Sequence, residues 1–248
     1  LVTGASAGIG EQFARALHKA GAHVVLGARR QDRVEALARE LSVSGPGAIG
    51  VALDVTDEPS VTAAFDAAEA RFGTIDTLVC NAGVLLNDQM NSSEGVEVTF
   101  ASHLLCGTFL LTSLLLPQLK AAPDGRVVVV TSGGMYNTRI PEWDIMTSYS
   151  YADKKPDKFK YDGTMAYAYA KRGQVVLAEE WSKQYKDVKF VTVHPGWTDT
   201  PAVDEAFGDN KKYLAPLREP WQGAEGVAWL TAAPGDRLES GALYLDRT

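Results

Sequence analysis

Apolar runs of strand length alternate along this chain with longer stretches of helical periodicity, and that alternation leaves few folds open. Leu1-Val2 reads as the end of a strand expected to begin upstream, together with any targeting segment. A helical stretch over 9–20 leads to a strand from His23 to Ala28, a helix from Asp32 to Leu41 and a strand from Ile49 to Leu53. Asp57 to Phe72 reads as a helix capped by Asp57, Ile75 to Cys80 as a strand, and about Val96 to Lys120 as a long helix. Arg126 to Thr131 is a further strand, 164–185 a helix, Val188 to Val193 a strand, Gln222 to Ala232 a helix and Ala242 to Leu245 a short last strand. Repeated strand-helix-strand units imply an α/β fold: a Rossmann-type, doubly wound parallel sheet between two helical layers.

With 248 residues, 46% of them hydrophobic, and no linker-like or low-complexity segment, residues 1–248 read as a single domain. A net charge of -7 disfavours a nucleic-acid partner, which would require a clustered basic surface. Cys80 and Cys106 each lie in an apolar stretch and read as buried free thiols, which fits the cytoplasm or another reducing compartment. The longest apolar stretch is interrupted at Thr108, Thr112, Ser113 and Pro117, so no membrane span is expected. The histidines are scattered and the cysteines lack ligand spacing, so no metal site is expected.

Residues 133–162 and 197–220 interrupt the rhythm as long loops following strands, at the end of a parallel sheet where ligands bind. The turn Thr3, Gly4, Ala5, Ser6, Ala7, Gly8, Ile9, Gly10 joins a strand to a helix. Its missing side chains would let a dinucleotide's phosphates approach the helix N-terminus. The second strand ends in Ala28-Arg29-Arg30 with no acid, which favours a ribose 2′-phosphate and hence NADP(H) over NAD(H). Leu53-Asp54-Val55 ends the third strand, where Asp54 could accept a hydrogen bond from an adenine amino group.

Tyr167 and Lys171 are one helical turn apart. A phenol ordinarily titrates near 10, so a neighbouring ammonium is expected to favour its anion and enable acid-base work. Tyr169 and Tyr161 have Gly173 and Met165 at that spacing, neither a cation, and His194 reads as structural at the end of an apolar strand.

Thr-Gly-x-x-x-Gly-x-Gly at 3–10, Asn81-Ala82-Gly83, Ser132, Tyr167-x-x-x-Lys171 and Pro195-Gly196, in that order, resemble the short-chain dehydrogenase/reductase superfamily. Thr131-Ser-Gly-Gly-Met135, Tyr161-Asp-Gly-Thr-Met165 and His194-Pro-Gly-Trp197 resemble one branch of it more narrowly. The resemblance implies that Tyr167 exchanges a proton with the substrate oxygen while Lys171 lowers its pKa and holds the nicotinamide ribose. It further implies that Ser132 hydrogen-bonds the substrate oxygen, that Asn81, Ala82 and Gly83 flank the cofactor, and that Pro195, Gly196, Thr198 and Thr200 frame the nicotinamide. A homodimer through the two long helices is also implied.

Many members of that superfamily carry an asparagine in the long helix. Counting from Phe100 puts His103 at that place, and counting back from Gly107 puts Leu104 there. The segment between Ser132 and Tyr167 is longer than usual, leaving Thr147, Ser148 and Ser150 as alternatives to Ser132. Met135, Tyr136, Ile140, Trp143, Met146, Trp197, Pro201, Phe207 and Trp221, mixed with Asp144, Lys154 and Lys155, suggest an apolar alcohol or carbonyl substrate. The competing readings are a regulator that binds NADP(H) without turnover and, more weakly, a lyase or epimerase.

Overall fold

Seven parallel strands pair in the order β3-β2-β1-β4-β5-β6-β7 in the computed structural model of the chain, which describes residues 1–149 and 160–248. The strands are β1 (Val2–Thr3), β2 (Val24–Ala28), β3 (Ala48–Ala52), β4 (Thr77–Cys80), β5 (Arg126–Val130), β6 (Lys189–Val193) and β7 (Leu243–Tyr244). Helices α1 (Gly8–Lys19), α2 (Gln31–Leu41) and α9 (Pro220–Ala232) cover one face. The other face is covered by α3 (Glu58–Phe72), α5 (Leu111–Ala121) and α7 (Gly163–Gln184). The expected α/β architecture is therefore present. Strands β2 and β5 are buried along their whole length, which is why they read as unbroken apolar runs rather than alternating ones.

Phe13, Leu26, Leu78, Leu115 and Phe190 are among the side chains fully removed from solvent. Each contributes roughly 1.5–3 kcal/mol relative to an exposed position. Asp57 caps α3 as expected, its carboxylate accepting from the Ser60 amide. Arg126, at the start of β5, is buried and donates to the carbonyls of Leu230, Thr231 and Ala233, satisfying the C-terminal end of α9.

The long apolar segment departs from expectation. Val98–Ala121 is a continuous 24-residue helix whose most apolar 18-residue window has mean hydropathy 1.6, long and apolar enough to cross a membrane by length and composition. Its interrupting Thr and Ser hydroxyls do not break it, because Thr108 and Ser113 donate to carbonyls of their own helix. Packed on the sheet, it is a core helix, with 61% of its most apolar window buried inside the protein. It begins as α4 (Val98–Phe100), passes through a π-helical stretch at Ala101–Leu110 and continues as α5.

The two stretches read as loops also carry helices. Gly133–Asn137 and Gly208–Leu214 are 3-10 turns, and α6 (Trp143–Ser148) and α8 (Pro201–Phe207) lie beside them. Glu97 joins the first stretch to the core. Buried to 1% exposure, its carboxylate accepts from the amides of Thr99 and Phe100 and from the Tyr161 hydroxyl at 2.9 Å.

Candidate functional site

The strand order reverses direction between β1 and β4, the place in such a sheet where a crevice opens beyond the carboxyl ends. Thr3 ties the two strands together beneath it. Its fully buried hydroxyl donates to the Val79 carbonyl and accepts from the amides of Asn81 and Ala82. Asn81 answers with its side-chain amide on the Thr3 carbonyl at 3.0 Å. The Thr3 side chain is thus a fastener between strands rather than a group facing the crevice.

Gly4 and Gly8 have φ of +68° and +61°, in the left-handed region that glycine adopts without strain. A Cβ on Gly10 would stand 2.3 Å from the Gly4 carbonyl oxygen, so the turn can close only around glycine. Ala7, the N-cap of α1, supplies no side-chain hydrogen bond to the first turn, which leaves its amides to meet an anion. Ile9 instead packs against the core. These residues fit a dinucleotide pyrophosphate.

Arg30 reaches this turn from the end of β2, donating to the Ser6 hydroxyl from Nη2 at 2.8 Å and Nε at 3.1 Å. Arg29 is exposed beside it. Asp54 is committed on one oxygen to the Thr56 amide and hydroxyl. Val55 is buried in the core, so its side chain is structural.

At the other end of the crevice, β5 leads into Ser132, whose hydroxyl accepts from the Gly134 amide at 3.2 Å. Its own proton remains to be donated, and Ser132 stands close enough to the Tyr167 phenol to act on its ionisation in the acidifying direction. Two of the three alternatives are engaged elsewhere. Thr147 and Ser148 donate to carbonyls of their own short helix, and Ser150, like Lys154 and Lys155, lies outside the described residues.

Tyr167 and Lys171 lie one turn apart on α7. The Lys171 ammonium donates to the Val130 carbonyl at 2.7 Å and lies 5.4 Å from the centre of the Tyr167 ring. Burial drives the lysine down to about 7, and burial pushes the phenol up from its usual value, with only Ser132 acting in the acidifying direction. Lys171, expected to favour the anion of this phenol, is not among the causes of its shift, which burial dominates.

Pro195 and Gly196 follow β6. Gly196 has φ of +73°, and a Cβ there would meet Arg218 Nε at 2.7 Å. Arg218 donates to the Pro195 carbonyl and, through two bonds of 2.5 and 2.7 Å, to Asp246. Nothing in the spacing of the sequence marks this clamp. Thr198 is buried, with its hydroxyl on the Pro195 carbonyl, and a Cβ on Gly223 would meet that hydroxyl at 2.4 Å, so its side chain faces α9. Thr200 caps α8, and its methyl would lie 3.8 Å from a Cβ on Gly8, which brings the nicotinamide-side segment against the glycine-rich turn.

Of the loop residues read as pocket-forming, Met135 and Met146 are core, Met146 packing with Phe100 and Leu104. Tyr136, Ile140, Trp143, Trp197 and Trp221 are exposed. Trp197 stands edge-on to Phe207, Trp143 to Phe100 and Tyr136 to His194. The Tyr161 hydroxyl is engaged by Glu97, and its pKa is pushed up to about 12 by burial. Cys80 is buried and Cys106 only half-buried, a departure for the second thiol.

A dinucleotide cleft whose far end carries a serine, a tyrosine and a lysine defines a nicotinamide-dependent oxidoreductase. Residues 1–149 match the short chain dehydrogenase family model, and the chain belongs to the short-chain dehydrogenase/reductase superfamily. It is 34% identical to dehydrogenase/reductase SDR family member 12 from Bos taurus, over all of this chain and 76% of that protein. In fold it is similar to L-sorbose reductase from Gluconobacter frateurii, solved with NADPH and L-sorbose. The TM-score is 0.75 and the identity 24%, covering 98% of this chain and 92% of that one. A 3-ketoacyl-(acyl-carrier-protein) reductase from Brucella melitensis, solved with NADH, gives the same TM-score at 25% identity over 97% and 93% of the two chains. The chain is thus an NAD(P)-dependent oxidoreductase acting on CH-OH groups.

Proposed function

We propose that the protein uses NADP(H) to interconvert an apolar carbonyl compound and its alcohol, with Tyr167 as the acid-base. The observation that carries this reading is the meeting of Ser132, Tyr167 and Lys171 at one end of a cleft that holds Arg30 and Ser6 at the other. The bound nicotinamide supplies or accepts the hydride.

In the reducing direction Ser132 donates to the carbonyl oxygen and stabilises its developing charge. Tyr167 gives its hydroxyl proton to that oxygen. Lys171, near neutrality in its ionisation, offers a proton source beside the phenol and an ammonium for the ribose hydroxyls. Asn81, Ala82 and Gly83 shape the floor, and Pro195, Gly196 and Thr200 frame the carboxamide, with Arg218 holding their backbone.

NADP(H) is favoured because Arg30 already lies on the Ser6 hydroxyl, where a 2′-phosphate would replace one neutral partner with an anion. Exposed Tyr136, Trp143 and Trp197, on the segments that follow β5 and β6, favour an apolar substrate. Leu105, Phe109, Leu114 and Val176 leave an exposed apolar face on the long helices, which supports a homodimer through them. The two free cysteines support a reducing compartment such as the cytoplasm.

The test is NADPH consumption, followed spectrophotometrically, with a panel of aldehydes, ketones, quinones, retinoids and steroids. Turnover of an apolar member faster with NADPH than with NADH is expected. Tight NADPH binding with no turnover across the panel would instead favour a regulator.

A further inference from the structure

The long helix carries one residue more than a regular α-helix holds between Phe100 and Gly107, and this is why counting from its two ends gives different residues for the same place. The π-helical stretch absorbs the extra residue. A Cβ on Gly107 would stand 2.0 Å from the Ser102 carbonyl oxygen, five residues back, so the wide turn closes on a glycine. The result is decided in favour of His103. Leu104 packs with Phe100 and Met146, whereas the His103 ring stands edge-on to Tyr167, with centroids 5.1 Å apart.

The wide turn also settles what the backbone at this place can do. The His103 carbonyl accepts from Thr108 Oγ1 at 2.7 Å and from Gln174 Nε2 at 3.0 Å. Both lone pairs are occupied, so only the side chain is left to meet the site. The imidazole is 4% exposed, and its Nε2 lies 2.8 Å from the Val84 carbonyl. A carbonyl only accepts, so Nε2 carries the proton and Nδ1 is a bare acceptor. Nδ1 is buried and has no hydrogen-bond partner among the described residues. Gly83 makes this seat: a Cβ there would come 1.8 Å from the His103 ring.

The same Tyr167 ring has beside it a donor with capacity to spare, the Lys171 ammonium lying 5.4 Å from its centre. The Lys171 ammonium has three protons, of which the Val130 carbonyl takes one. Burial, with the Lys171 charge adding to it, holds the imidazole well below its ordinary pKa, which keeps it neutral.

We propose that His103 is a positioning residue for the Tyr167–Lys171 pair, its Nδ1 accepting a hydrogen bond relayed from the Lys171 ammonium through one water. The imidazole then does with its side chain what the asparagine expected at this place would share with its backbone. This rests on the proposed roles of Tyr167 and Lys171, and it adds a requirement for an acceptor at residue 103.

The test has two arms. In protein labelled with nitrogen-15 at its histidines, the His103→Asn variant assigns the His103 signals by their loss. At neutral pH the ring is expected in the Nε2–H form, and Lys171→Met should move the Nδ1 resonance downfield as its hydrogen bond is lost, leaving the other histidines unchanged. An Nδ1–H tautomer, or an Nδ1 resonance indifferent to Lys171→Met, overturns the proposal whether or not any substrate has been found.

The second arm uses the carbonyl compound that the NADPH screen identifies. His103→Phe, which keeps an edge-on ring but has no acceptor, should lower kcat at least ten-fold with KM and the NADPH Kd within about two-fold. His103→Asn, which restores an acceptor, should recover at least a third of kcat. Equal activity of the Phe and Asn variants, with both still binding NADPH, contradicts the proposal while leaving the oxidoreductase reading intact.

Discussion

The Lys171 ammonium donates to the carbonyl of Val130 at 2.7 Å, one residue before the strand β5 hands the chain to Thr131 and Ser132. Thr131 completes the joint by donating to the Lys171 carbonyl. The helix that carries the acid-base pair is thereby pinned to the strand that delivers the serine.

That seat has a consequence for stability. A lysine whose folded pKa is lowered to about 7 from 10.5 binds fewer protons than its unfolded counterpart between those values, so stability rises as pH increases through that window. Below about 7 the lysine is charged in both states and its burial cost is fully felt. Lys171→Met is therefore expected to raise the melting temperature more at pH 6 than at pH 10. The difference should be on the order of 3–5 kcal/mol by the linkage of 1.36 kcal/mol per unit. Thermal denaturation at the two pH values measures it, and an equal effect at both would remove the lysine from the buried, partly neutral state.

Arg30 meets Ser6 through two nitrogens of one guanidinium. Replacing Arg29 and Arg30 together by alanine is expected to weaken NADPH binding about 10–100-fold, or about 1.4–2.7 kcal/mol, from lost charge-assisted hydrogen bonds. NADH binding should change by less than about three-fold. Fluorescence titration with both cofactors decides the matter, and equal losses would reject a 2′-phosphate site.

Glu97 supports α4 from below and holds Tyr161 from above. Glu97→Ala strands two amide donors and a phenol, and should destabilise the fold by about 2–4 kcal/mol. Tyr161→Phe should cost less, about 1–2 kcal/mol. Chemical denaturation of the two variants and of their combination tests the ordering. Additive losses would show that the two side chains do not cooperate.

The apolar face of the long helices predicts an oligomer. Phe109→Glu, at a position 46% exposed in the single chain, should leave the fold intact and convert a dimer into a monomer in sedimentation velocity. A wild-type protein that is already monomeric at micromolar concentration would remove the proposed dimer.

Much of this architecture could be read before any coordinates. The apolar runs at β2, β5 and β6 are buried on both faces and so leave a plain signal, while strand and helix ends differ from expectation by only a residue or two. Asp57 announced its helix because a cap is a local interaction. The glycine-rich turn, Ser132, Tyr167 and Lys171 were legible for a related reason, since each lies at a strand end or on one helix stripe.

What was hidden depends on contacts distant in the chain. Arg218 reaches Pro195 across 23 residues, Glu97 meets Tyr161 across 64, and Gln174 meets His103 across 71. No periodicity encodes such pairs. The π-helical stretch left one trace, the one-residue disagreement between the two counts. The burial of the phenol left no trace, because spacing on a helix fixes a shared face and not the degree of desolvation.

The most direct measurement is the turnover of Tyr167→Phe with the substrate found by the NADPH screen, alongside its affinity for NADPH. Affinity within about three-fold of wild type and turnover lowered by at least about a thousand-fold is the expected result, since the phenyl ring keeps the packing against His103 and loses the transferable proton. Turnover within ten-fold of wild type would contradict the assignment of the acid-base to this tyrosine.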